Sequence, residues 1–345
     1  MPVAEASVAT ALPAEHPEAV GPIGRLGRWA ADHIRAVSIA WAVVAIALAV
    51  FAPKVETALS GAGWQANGSE SVKARTLIQE NFGGLSSSAP IVVVHSPTLT
   101  TSSPEFRDTL AEAEAILRSD SRISTVVPPR PGVSISQDGH TALVVAGAKG
   151  DPTEMVAAAD ELKGKLGELA TSQVAVSVTG ASGMWSDFNE ANRKAMMKSE
   201  LFSWPVTLAI LVLAFGSLVA AGLPLLLTIL GLLASAGLLT LLTHGFEISI
   251  WAMNFALMFA LALGIDYALF VVHRFRGAYF GSALPARDAV AIAMDTAGKA
   301  VLFSGLTVFV SLSAVMLVPS PAFRSMALGI MLSVAFVLAA TLTLL

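Results

Sequence analysis

The chain has 345 residues, of which 21 are Lys or Arg and 25 are Asp or Glu, so only 13% are charged while 54% are apolar, against roughly a quarter charged in an average soluble domain. Thirty of the 46 charges fall between residues 53 and 200, which excludes a single soluble globule, a disordered chain and a collagen-like fibre and describes a water-soluble domain set into a membrane protein. The net charge of −4 without a basic block argues against nucleic acid, and the lack of cysteine excludes a disulfide framework, an iron–sulfur cluster and a thiol nucleophile.

Residues 1–23, rich in Ala, Pro and Glu, read as a disordered cytoplasmic tail. Residues 24–53 carry a first transmembrane helix, whose uncharged run from Ala36 to Pro53 lies between Arg35 and Lys54. A bilayer core about 30 Å thick needs roughly 20 such residues. Ala47-Leu48-Ala49 resembles a signal-peptidase site, but the apolar run continues to spanning length.

Residues 54–200 read as an extracytoplasmic α+β domain. A helix from near Ser71 carries Ala74, Leu77, Ile78 and Phe82 on one face and stops at Gly83-Gly84. Strands are expected at Pro90 to His95, Ile123 to Val127, His140 to Ala146 and Val174 to Thr179. Helices open between them at Ser103-Pro104-Glu105 and at Asp151-Pro152-Thr153-Glu154, the latter a capping box with a first-turn proline. The order β-α-β-β-α-β matches the ferredoxin-like arrangement, which serves many unrelated roles. A last helix from Trp185 to about Glu200 leads back to the membrane.

Residues 201–345 read as a five-helix bundle with spans at about 201–220, 224–243, 248–273, 300–318 and 325–345, and a cytoplasmic elbow at 274–299. Gly222 and Pro224 are expected to separate the first two of these, and Pro319 and Pro321 to turn the chain before the last. The fold class is therefore an α-helical membrane protein of six transmembrane helices with an inserted α+β ferredoxin-like (βαββαβ) domain. Arg25, Arg28 and Arg35 before the first span, and Arg274 and Arg276 after the fourth, share one side if the spans alternate. Short basic loops stay cytoplasmic, so the α+β domain is expected outside, with Trp204 and Trp251 near the outer ends of their helices.

Asp266 is the one charge within these apolar runs. Eight residues separate it from Arg274, which places it about 12 Å inside the cytoplasmic boundary, too deep to snorkel. A carboxylate at such depth costs at least ~2.5 kcal/mol on insertion scales and usually faces protein or water on an ion pathway. A structural hydrogen bond to a neighbouring helix is the plainer alternative. Ala252, Ala256, Ala260, Gly264 and Ala268 recur every four residues as a ridge for close helix packing. Asp266 points to nearly the opposite side, so the fourth span is expected inside the bundle with protein on both sides. Proton carriage suits such a carboxylate, with Tyr267 beside it and with Ser304 and Thr307 on the fifth span as relay or packing groups. Enzyme readings fit poorly: an aspartyl protease needs two carboxylates, the histidines show no metal-ligand spacing, Ser304 has no histidine base nearby, and there is no phosphate-binding loop.

Gly264-Ile265-Asp266-Tyr267-Ala268-Leu269-Phe270, followed by Arg274-Phe275-Arg276, resembles the G-x-D-Y-x-x-F-x-x-x-R-x-R signature of the MMPL (mycobacterial membrane protein large) family of the resistance-nodulation-division superfamily. Ala297-Gly298 and Ser304-Gly305-Leu306-Thr307-Val308 match as well, as does the layout of one span, a large porter-like outer domain and five more spans. The resemblance covers nearly everything from Arg25 to Leu345. It implies a non-enzymatic transporter in the bacterial inner membrane that exports lipids or other hydrophobic molecules. The proton gradient would supply the energy, no cofactor is expected, and Asp266 and Tyr267 would form the relay. Gly277 stands where the family usually has an acidic residue, so the elbow is expected to differ. The resemblance also implies two such halves, so the expected partners are the lipid bilayer, the substrate, and a missing second half or a second copy of this chain. The apolar run at Leu345 is read as favouring one half of a longer protein. The alternative from another class is a non-transporting scaffold or lipid receptor, in which Asp266 has no task.

Overall fold

The computed structural model describes residues 20–55, 59, 61, 63–280, 282 and 284–345. Most of the expected N-terminal tail, residues 1–19, lies outside these. Helix α1 (Pro22–Asp32) and helix α2 (Ile34–Ala49) replace the single helix expected from residue 24. They are separate because α1 is amphipathic. Its small face of Gly24, Gly27 and Ala30 is buried, while Arg28 pairs with Asp288 at 3.1 Å, which draws α1 onto the elbow instead of into the apolar phase.

The outer domain follows. Helix α3 (Glu70–Asn81) is capped by Ser69, whose Oγ accepts from the Val72 N–H at 3.4 Å. Its expected apolar face is not covered by the described residues: Leu77 is 60% and Phe82 66% exposed. Then come β1 (Ile91–His95), α4 (Pro104–Ser119), β2 (Ile123–Val127), β3 (Thr141–Ala148), α5 (Pro152–Gly167) and β4 (Ala175–Thr179). The sheet has four strands in the order β2-β3-β1-β4, every neighbouring pair antiparallel. Alternation decides which face is covered. Val92, Val94, Ala142, Val144 and Ala146 point to one side and pack against Phe106 and Leu117 of α4 and Leu162 and Leu166 of α5. The capping box at α5 is formed, Asp151 accepting from the Thr153 and Glu154 N–H groups and Glu154 from that of Asp151. Arg122 bridges Asp120 and Glu161 and so ties the start of β2 to α5. The same guanidinium holds the Asp120 carboxyl below the usual carboxylate range.

The chain re-enters the membrane without a break. Helix α6 (Gly180–Phe215) is one helix of 36 residues, about 54 Å long, where a separate Trp185–Glu200 helix and a new span were expected. Its first turns belong to the outer domain, because Lys163 of α5 donates to Ser186 Oγ at 2.9 Å and pairs with Asp187. Trp204 consequently lies well inside a helix and packs on a cluster with Leu211 and Leu225, not at an outer end. Helix α7 (Leu218–Leu242) starts earlier than expected. The break falls at Gly216, which has φ +66, a conformation that glycine adopts without steric cost, and Ser217 caps the next helix through Ala220 N–H. Gly222 and Pro224 both lie within α7. The proline is the seventh residue of the helix, so the bond to the Ala220 carbonyl is forgone, a loss that membrane helices absorb through neighbouring helices and small local adjustments.

Helix α8 (Trp251–Tyr279) runs beyond Arg274 and Arg276 into the expected elbow. The rest of the elbow is largely helical too: α9 (Ala286–Ala293) passes through a π turn (Met294–Gly298) into α10 (Lys299–Val315). Helix α11 (Pro321–Thr343) follows a proline at its first position. Among the described residues, six helical stretches are long and apolar enough to cross a membrane. Helices α7, α8 and α11 form the bundle centre, while α2 and α6 pack on α7, and α10 packs on α11. Ser333 of α11 and Ser235 of α7 bond at 3.1 Å within this centre, and Trp41 of α2 donates to Thr343 at 2.9 Å.

The absence of native cysteine allows a direct test of sidedness. Val133→Cys, at a position 82% exposed in the outer domain, should react with a membrane-impermeant maleimide in intact cells. Ser282→Cys, between α8 and α9, should react only after permeabilisation. Equal labelling of both in intact cells would contradict the alternating six-span arrangement.

Candidate functional site

The small-residue ridge does what its composition allows. Ala252, Ala256, Ala260 and Ala268 are fully buried, and Gly264 is buried against Thr228 of α7 and Val337 of α11. Across this ridge α11 approaches so closely that a Cβ on Gly329 would overlap the Ala252 carbonyl oxygen.

Asp266 lies on the other side of α8, and there the structure corrects the expectation of protein on both sides. It is exposed, in line with Met258, Ala262 and Phe270, which are also exposed at four-residue spacing. Among the described residues no hydrogen bond or ion pair engages its carboxylate. The reason is geometric: α7 and α11 both sit on the ridge side, so neither reaches the opposite stripe.

Tyr267 is one residue on, and about 100° around a helix of 3.6 residues per turn. It is 3% exposed and packs among Leu232, Val271, Val301, Val337 and Leu338. Its hydroxyl is buried with no hydrogen-bond partner among the described residues, a condition that costs about 1–3 kcal/mol and calls for an explanation. Ser304 and Thr307 are exposed on α10, with Thr307 Oγ1 donating to the Phe303 carbonyl at 2.9 Å. Helices α8 and α10 each pack on α11 and touch one another only marginally at most. The expected relay groups are thus not gathered within this chain: three face outward and one faces in.

Other features went unread in the sequence. At the outer ends of the helices Trp64, Trp251, Phe188, Trp185 and Phe323 form a connected aromatic cluster with centroid separations of 5.4–5.8 Å. Trp251 Nε1 and Asn254 Nδ2 are buried beside it without partners among the described residues. At the inner end, Arg276 donates to the Phe215 carbonyl at 2.7 Å. The aromatic spacing across four segments has no local periodicity to reveal it, whereas Gly24 and Gly27 in an amphipathic stretch were a legible signal for α1.

The chain resembles several curated proteins. It is 30% identical over 295 residues to "Probable transport protein MmpL11" of Mycobacterium leprae, covering 83% of this chain and 28% of that protein. It is 29% identical over 317 residues to "Mycolic acid-containing lipids exporter MmpL11" of Mycolicibacterium smegmatis, covering 88% and 33%. To "Putative membrane protein SCO6666" of Streptomyces coelicolor it is 33% identical over 272 residues, covering 77% and 38%. The chain therefore matches only about a third of the length of these relatives. The model of the MMPL family matches residues 63–345, which takes in the sheet, the ridge, the Asp266 stripe and the elbow together, and the chain belongs to the MMPL family, a multi-pass protein of the cell membrane.

Proposed function

We propose that this chain is one half of a transporter that exports lipids or other hydrophobic molecules, driven by the proton gradient, with Asp266 as the proton-carrying group. The observation that carries this reading is the exposed carboxylate about two turns inside Arg274, on a helix face that none of the described residues covers. Lipid cannot be its neighbour at low cost, so a second set of spans, from the remainder of a longer protein or from a second copy, would close over the stripe and supply the polar surroundings for proton transfer. Tyr267 and the outward Ser304 and Thr307 would complete a relay only when that second bundle is in place. The lipid substrate is suggested by the M. smegmatis relative, which is named as an exporter of mycolic acid-containing lipids. The outer domain is assigned to the ferredoxin-like class on the strand order β2-β3-β1-β4 and on two helices covering one face. The test is transport by the complete protein in vesicles with an imposed pH gradient. Lipid movement should stop when a protonophore collapses the gradient, and movement that continues unchanged would exclude proton coupling.

A further inference from the structure

At the inner end of the bundle lies a cavity of about 400 Å³ that the transport reading does not use. Pockets for amphiphilic small molecules begin at roughly this size. Its walls are mainly apolar, from Leu223 of α7, Val272 and Phe275 of α8, Val290 and Met294 across the π turn, and Leu345 beyond α11, and among its lining residues only Arg276 has a charged side chain.

Arg276 is a donor with capacity left over. One Nη1–H goes to the Phe215 carbonyl at 2.7 Å, and the guanidinium lies 5.7 Å from the centre of the Phe280 ring. No carboxylate pairs with it among the described residues, and a guanidinium has five N–H donors in a fixed fork. Gly216 and Ser217 line the same cavity, so the positive end of the 25-residue helix α7 opens towards it. Two sources of positive potential therefore converge on an apolar cavity that no acidic side chain lines. Arg274 is anchored away from it, bonding Thr296 at 3.0 Å.

The position decides the occupant. By the arginine bias this is the cytoplasmic end of the spans, where the leaflet is anionic and basic pockets between transmembrane helices hold anionic headgroups. We propose that the cavity is a binding site for an anionic phospholipid of the cytoplasmic leaflet, with an acyl chain between α7, α8 and α9 and the headgroup phosphate on Arg276. Such a lipid would link the α6–α7 break to the elbow. Along α8 the lining begins at Val271, and the proposal does not depend on proton coupling.

The test uses the whole protein in mild detergent, with native mass spectrometry to count lipids retained after addition of phosphatidylglycerol or phosphatidylcholine. Wild-type protein should retain phosphatidylglycerol in preference. Arg276→Gln should reduce that preference about tenfold, and Leu223→Trp, which fills the cavity and keeps the charge, should reduce retention of phosphatidylglycerol itself. Glycerol phosphate, which has the anion but no chains, should not compete. Equal retention of the two lipids by wild type, or an unchanged preference in a folded Arg276→Gln protein, would overturn the site. If Arg276→Gln fails to fold because the Phe215 bond is lost, Leu223→Trp decides, and full retention in that variant overturns the proposal. Displacement by glycerol phosphate would show a soluble-phosphate site and overturn it also.

Discussion

Asp266→Asn is expected to leave the complete transporter in the membrane at wild-type abundance and to abolish gradient-driven export. The hypothesis rests on the unpartnered, exposed carboxylate of α8. Asparagine keeps the size and most of the hydrogen-bonding capacity but cannot ionise, so it tests charge rather than packing. Moving one elementary charge across 100 mV is worth about 2.3 kcal/mol, and that coupling disappears with the carrier. The measurement is lipid transport in vesicles against an imposed pH gradient, paired with quantification of the inserted protein. Tyr267→Phe is the companion. Its hydroxyl is already buried without a partner among the described residues, so its removal should not destabilise the fold, and a loss of transport would then report on proton handling. If Asp266→Asn exports at the wild-type rate with the same gradient dependence, Asp266 is a structural residue and the scaffold reading takes its place.

A large effect on stability is expected at Gly329. Alanine adds a single methyl group, and on an exposed helix that change is favourable by up to about 1 kcal/mol because glycine carries the greater backbone entropy. At Gly329 the added Cβ would enter the space of the Ala252 carbonyl oxygen. A backbone atom cannot rotate aside, so α11 and α8 must separate along their most extensive contact. Gly329→Ala should therefore cost about 2 kcal/mol, despite the gain in helix propensity. Gly277→Ala is the control on α8, since nothing lies within 4 Å of its added Cβ, and it should be neutral or slightly stabilising. Thermal unfolding in detergent distinguishes the two, and equal melting temperatures for both variants would mean that the close approach of α8 and α11 is not as drawn.

What the sequence determined by itself is what near neighbours decide. The existence of six apolar stretches, the strands of the outer sheet to within two residues, the capping box at Asp151 and the proline start of α11 all follow from runs, alternation and caps within a few residues of chain. The ridge from Ala252 to Ala268 was legible as well, because its four-residue spacing is a property of one helix. The tertiary structure alone decided the rest. An uncharged run of 46 residues from Leu201 to Phe246 does not say which glycine will break it; that depended on Gly216 adopting a positive φ where Arg276 holds the Phe215 carbonyl. Nor does the stripe opposite the ridge reveal whether it is covered. Asp266 is outward because α7 and α11 both pack on the small residues, and Tyr267 is inward because a helix turns about 100° per residue. Hydrophobicity in a membrane protein marks both lipid-facing and protein-facing surfaces, so only the positions of the neighbouring helices separate them.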